Sequence, residues 1–519
     1  MRLASSRTRV PWFLGACLLL GGPPALAQEQ QEKASGAYLS AMTGPLERVE
    51  ATAEELGIPL PSFLRREFIE GDLPFLGPGS LRAAGSLGMW MGPTEPGADS
   101  PNATMLFPLK PGVAPLRDFL DRGARRLSPK SDTVERGGYF FRRTEGFLLM
   151  GASKVDITTV DPEAVGKRLG APGVLAEVDL DLDRWRTTDP ASFRQMLSQG
   201  DPSDGAGNAE ALGNAIGTRL IEKLVDRVHL TVMDAAPTPA LRLRVALEPL
   251  APEEAAPFPR PSFPRTSVGR VDITYASTET SRWMLGLTDD LLDAVEKDNG
   301  FADAAKAGIR PDQMRALFKE LFGVFWVADS LSMAVEPSGS GFIYHQVNQY
   351  RQPADFTARL NTVLKGFRDA DKKAIRRNKK LFASTTYTAG GARITRVALP
   401  DNLNLDFVDS GTMVRITVAQ DKERHLPALL NAPSEGSIAS IFSGSVDTGA
   451  LLAAFPEARK GLPPALALTL DSLRGQLISW NTRPEGKAAV MELEVPKQLI
   501  QAVFRRGHGA EPSTSSPVP

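Results

Sequence analysis

The sequence predicts an α+β protein built from two tandem copies of one domain, each an antiparallel sheet of long hairpins with helices packed on one face. Three observations lead there. In Asp226–Leu250 apolar residues alternate with polar ones through Val228, Leu230 and Val232, then again through Leu241, Leu243, Val245 and Leu247, on either side of a Pro-containing turn at Ala235–Pro239. Period-two alternation flanking a turn is the pattern of two antiparallel strands with one buried face. Similar hairpins open at Gly85, Asp329 and Asp471; the first maps onto the third with an offset of 244 and the second onto the fourth with 245. Two offsets that agree to one residue point to duplication of a unit of about 245 residues. Helical stripes also recur ahead of the hairpins.

In chain order, residues 1–27 read as an export signal. Arg2, Arg7 and Arg9 precede an apolar run at Val10–Leu20, and Ala25-Leu26-Ala27 offers a small-x-small cleavage site before Gln28. The alternative is a lipoprotein anchored through Cys17, because Leu14-Gly15-Ala16-Cys17 has the form of a lipobox. Cys17 is the only cysteine, so a chain cleaved before Gln28 has no disulfide, thiolate metal site or cysteine nucleophile.

The first copy is assigned to 28–250. A helix fits Ser40–Leu56, with Leu46, Val49, Ala53 and Leu56 on one face and Gly57 past its end. A second amphipathic piece lies around Phe63–Ile69, a helix is expected over Val113–Leu127, and strand-like sequence follows at Gly137–Ala152 and Gly173–Leu182. Asn208–Val225 carries a helical stripe into the hairpin at Asp226. Residues 251–266 hold five prolines and read as a stiff linker.

The second copy is assigned to 267–506. It begins with a strand at Ser267–Tyr275, followed by helices at Trp283–Lys297 and at Asp312–Phe322, the latter ending at Gly323. After the third hairpin come a helix over Ala354–Phe367, two or three strands within Leu381–Ala419, and a strand at Gly436–Val446. The tail 507–519 lacks apolar periodicity and is expected to be disordered.

Leu56-Gly57-Ile58, the strand opening at Gly85–Met91, the apolar strand Thr104–Leu109 and the aromatic pair within Gly137–Met150 follow one another in an order that resembles a class of exported bacterial α+β proteins of unknown function. The resemblance implies the fold and export, and no activity.

A hydrophobic content of 42% and a charged content of 23% are those of a globular protein. A net charge of −1 argues against nucleic acid as the main partner, since phosphate neutralisation needs a basic face. No stretch reaches the roughly 18 uninterrupted apolar residues of a membrane span. Metal-protease, phosphate-loop, nucleophile-elbow and dinucleotide motifs are all missing. His229, His345, His425 and His508 lack metal-ligand spacing. No catalytic, cofactor-binding or metal-ligating residue is therefore assigned.

Two charged features stand out. Glu177, Asp179, Asp181 and Asp183 alternate with Val178, Leu180 and Leu182, which puts the carboxylates on one strand face. A solvated face is the expectation, and a cation site is the alternative. Lys372, Lys373, Arg376, Arg377, Lys379 and Lys380 follow the helix at Ala354–Phe367, as Arg122, Arg125, Arg126 and Lys130 follow the one at Val113–Leu127. Cations at a helix C-terminus offset its dipole, and peripheral contact with anionic lipid is the alternative. The expected function is that of an exported, periplasmic or secreted non-catalytic protein, either an envelope scaffold or a partner-binding module. A carrier of a lipid or other apolar ligand, and a hydrolase with an unrecognised site, are the alternatives.

Overall fold

The computed structural model describes residues 37–60, 64–73, 76–93, 102–113, 125–126, 133–136, 138–144, 146–152, 173–199, 225–235, 240–248, 258–264, 266–274, 289, 292–293, 310–326, 328–338, 341–351, 356–370, 376, 383–398, 404–419, 434–438, 442–454 and 474–507. The segment 1–27 expected to be an export signal, with Cys17, most of the predicted helices at Val113–Leu127, Asn208–Val225 and Trp283–Lys297, and the tail beyond 507 lie outside them. The chain divides into two compact units. The first takes in the described residues up to Gln199, those within Leu224–Leu250 and those from Val490 on; the second takes in those from Ala251 to Ala489.

The first unit opens with β1 (Leu39–Thr43), α1 (Leu46–Leu56) and α2 (Arg66–Asp72). Then come β2 (Gly88–Gly92), β3 (Asn102–Pro108), β4 (Arg125–Arg126), β5 (Thr133–Arg136), β6 (Tyr139–Thr144), β7 (Phe147–Gly151) and β8 (Val174–Asp181). Two short helices, α3 (Leu182–Thr188) and α4 (Pro190–Gln199), precede the hairpin of β9 (Arg227–Asp234) and β10 (Ala240–Glu248). All pairings are antiparallel, in the order β4-β5-β6-β7-β3-β2-β1-β8-β9-β10.

The predicted helix at Ser40–Leu56 is a helix only from Leu46. Residues 39–43 form β1, hydrogen-bonded on both sides between β2 and β8. The break falls at Gly44-Pro45: a side chain at Gly44 would put its Cβ 2.2 Å from the Val174 carbonyl oxygen, and Pro45 precedes the first helical residue. From there the stripe behaves as expected, with Leu46, Val49, Ala53 and Leu56 buried. Gly57 ends α1 in the left-handed region at φ 70°. Gly57→Ala is expected to cost about 1 kcal/mol, read from the unfolding midpoint. Leu46 of α1 and Ile69 of α2 pack on Phe107, Val134, Phe141 and Leu148 of the sheet, forming one core.

The second unit contains β11 (Phe258–Pro261), β12 (Gly269–Thr274), α5 (Pro311–Trp326), β13 (Ser330–Ser338), β14 (Gly341–Gln349), α6 (Phe356–Ala370), β15 (Ser384–Ala389), β16 (Ala392–Ala398), β17 (Asn404–Asp409), β18 (Met413–Ala419), β19 (Ser434–Ile438), β20 (Phe442–Asp447), α7 (Thr448–Ala454) and β21 (Leu477–Glu485). Its main sheet runs β15-β16-β17-β18-β14-β13-β12-β20-β21, again antiparallel throughout. In both units a four-strand meander joins the second strand of a hairpin. The hairpin's first strand is followed in space by the strand that precedes it in sequence, then by later strands, β8-β9-β10 in the first unit and β20-β21 in the second. Phe356, Leu360, Val363 and Leu364 of α6 pack on Val397, Phe407, Val414 and Ile416.

Several boundaries differ from expectation. The helix α5 runs through Gly323 to Trp326, so that glycine is not a stop. Leu381–Ala419 holds four strands. Gly436–Val446 splits between β19, which pairs with β11, and β20, which pairs with β12. Arg125–Arg126 form a strand rather than a helix end. Within the Pro-rich stretch Phe258–Pro261 form strand β11, whose pairing with β19 shifts register between Pro259 and Pro261, where prolines have no N–H to give.

The chain closes with β22 (Ala488–Pro496) and α8 (Lys497–Gly507). From Val490 this segment belongs to the first unit, although the sequence places it in the second copy. β22 pairs with β10, and Lys497 Nζ meets Glu55 of α1 and Asp234 of β9 at 3.0 and 3.2 Å.

Candidate functional site

Register fixes what the faces opposite the helices carry. In the first unit one row across the sheet is Leu149, Leu106, Gly88, Met42, Glu177, Thr231 and Arg244. The next is Gly151, Thr104, Trp90, Ser40, Asp179, His229 and Ala246. The face thus passes from an apolar cluster of Met42, Trp90, Leu106, Phe147 and Leu149 to a charged strip on β8, β9 and β10. These are the polar positions of the alternating pattern.

The expectation of a solvated acidic ladder is overturned here. Glu177 is 6% exposed and Asp179 3%. A carboxylate cannot be left there without partners. Asp179 accepts from Arg227 Nε at 2.9 Å and lies 2.9 Å from His229 Nδ1. Asp181 does something else: its Oδ1 accepts the Arg184 N–H at 2.8 Å and caps α3. Asp183 is exposed on α3. Asp179, Asp181 and Asp183 therefore do three different jobs. Among the described residues no group of three or more His, Cys, Asp or Glu is arranged to hold a metal ion.

Farther along the same face, Arg242 Nε donates to Glu494 Oε1 at 2.8 Å, and Arg244 lies 3.8 Å from Glu492. His229 Nε2 and Thr231 Oγ1 are buried without a hydrogen-bond partner among the described residues.

The second unit has a counterpart centred on Asp272, which is fully buried. It accepts from Arg270 at 2.8 and 2.9 Å, from Arg260 at 3.2 and 3.3 Å, and from Ser332 Oγ at 2.6 Å. Burial alone would push this carboxyl up; the Arg270 and Ser332 hydrogen bonds and the two guanidinium charges outweigh it and hold the group below its usual value. Arg260 comes from β11, and Phe263 beyond it lies under the Arg270 guanidinium, 4.9 Å from centroid to Cζ. On the same face His345 Nε2 meets Glu336 at 3.1 Å, and Arg396 Nε donates to Asp406 at 2.7 Å. Burial pushes the Arg415 guanidinium down.

Of the sequence-singled residues, the structure brings Asp179 and His229 together and places His345 in the other unit. His425 and His508 lie outside the described residues, as does the basic cluster at 372–380 apart from the exposed Arg376. Sequence reading missed Arg227, Arg260, Arg270 and Asp272. The available signal was the polar positions of β9 and β12, which occupy the face that carries the two carboxylates. No helix among the described residues is long and apolar enough to cross a membrane. Comparison of the chain with family models, curated proteins and solved structures finds no match.

Proposed function

We propose that this is an exported, non-catalytic protein of the cell envelope that serves as a scaffold or partner-binding module. The observation that carries the reading is the use made of the deepest charges. Asp179 is taken by Arg227 and His229, and Asp272 by Arg270, Arg260 and Ser332. Such carboxylates fix strands to one another; a catalytic acid or base is instead poised toward a substrate. Native mass spectrometry of the purified chain tests it: the bare polypeptide mass is expected, and a co-purifying lipid would establish the carrier reading instead.

The hydrolase reading has one observation in its favour. A carboxylate on Nδ1, with no partner for Nε2 among the described residues, is the arrangement of a general-base imidazole. Against it, His229 is 3% exposed and Arg227 shares the same carboxylate. Diethyl pyrocarbonate is expected to spare His229 until the protein unfolds; rapid modification in the native state would favour the enzyme.

Duplication of an α+β unit is part of the proposal, supported by the common strand order. In both units, too, the strand after the long crossover ends in an aspartate that caps the next helix, Asp181 to Arg184 N and Asp447 to Ala450 N. Export rests on residues 1–27. N-terminal sequencing of the secreted protein is expected to begin at Gln28, and a modified Cys17 would overturn that.

A further inference from the structure

We infer that the outer edge of β15 is a docking site for a second copy of this chain, paired with it antiparallel, edge to edge. The inference goes beyond the function proposed above and does not rest on it. Among the described residues β15 pairs only with β16. Five of its six residues, Ser384 to Thr388, are exposed, with Tyr387 at 39%. The strand is long enough to template another, rich in Thr and Tyr, and free of charge and proline.

Exposed edges are normally blunted by shortness, charge, proline or a bulge. The corresponding edge of the first unit is blunted in two of these ways: β4 has two residues, and both are arginine. β15 has none of them, and its register with β16 is unbroken.

The ladder shows which groups are offered. The hairpin closes through Gly390-Gly391, both at positive φ, as a two-residue turn requires. Ala398 N donates to Ala383 O, so the odd-numbered residues of β15 bond to β16 and the N–H and C=O of Ser384, Thr386 and Thr388 point outward. An identical strand fits because isologous pairing sets each residue against its own kind or a near neighbour. Like charges opposite one another would destabilise such a pair; Ser, Thr and Tyr raise no such conflict. A six-residue strand pair is a small interface, so the dimer is reversible, with a dissociation constant on the order of micromolar or weaker.

Sedimentation velocity from about 1 to about 500 μM tests this. The wild type is expected to pass from monomer to dimer, with slowed exchange of the Thr386 and Thr388 amides. The double variant T386K/T388K sets lysines opposite one another whether the dyad falls at residue 386 or 387. It should weaken dimerisation at least about tenfold with an unchanged circular dichroism spectrum. T386P, which removes one outward N–H, should do the same; if it lowers the melting temperature, the lysine variant decides. A wild type that stays monomeric throughout, or a dimer that both variants leave intact, overturns the inference. So does slowed exchange only when a different protein is added.

Discussion

Asp179→Asn is expected to destabilise the first unit by about 3–5 kcal/mol, the cost of removing one partner from a buried ion pair. The substitution is nearly isosteric, so the effect is electrostatic. It removes the charge that Arg227 and His229 face at 2.9 Å, and His229 is buried beside it while Arg227 is only partly exposed. The amide can still accept from one neighbour, but it presents an NH₂ to the other. Asp183→Asn is the control: this carboxylate is exposed on α3, and its loss should stay within about 0.5 kcal/mol. Urea unfolding followed through Trp90 and Trp185 fluorescence measures both, with amide exchange on β8 and β9 as the local readout. Equal effects from the two variants would mean that Asp179 behaves as a solvated group.

What was legible in the sequence follows from what alternation encodes. Val228, Leu230 and Val232 announced β9, and Leu241 to Leu247 announced β10, because a strand's two faces are written in alternate letters. The observed register pairs Val232 with Leu243 and Leu230 with Val245. The same letters say nothing about whether the polar face is covered. Asp179 looks like part of a solvated edge until β9 supplies a partner 48 positions away. β1 was hidden for a related reason. Ser40, Ala41 and Met42 suit a helix as readily as a strand, and only the neighbours β2 and β8 decide between them. Gly44 was the local clue, through a close backbone approach that no sequence pattern displays. The closing strand β22 read correctly as a strand, but its pairing with β10 is set by tertiary contacts. Arg242 and Glu494 lie 252 residues apart.

Asp272→Asn is the second large effect, also expected at about 3–5 kcal/mol, and it carries a signature in pH. Its carboxyl is fully buried among Arg270, Arg260 and Ser332 and is held below the ordinary aspartate value. A group depressed in the folded state binds its proton less readily there than in the unfolded chain. Its contribution is therefore complete above the unfolded value, about 3.9. It is lost as pH falls from there through the lower folded value. The free-energy gap between wild type and Asp272→Asn should be constant from neutral pH down to about 4 and then narrow. Taking the difference cancels the other carboxylates, which titrate alike in both proteins. The damage should also be directional. Arg260 reaches Asp272 from β11, so the variant should loosen residues 258–264 first, exposing the Pro-rich strand to protease before the rest of the unit unfolds. A gap that stays flat through acid, or a β11 no more susceptible than in the wild type, would mean that the two arginines are held by something other than this carboxylate.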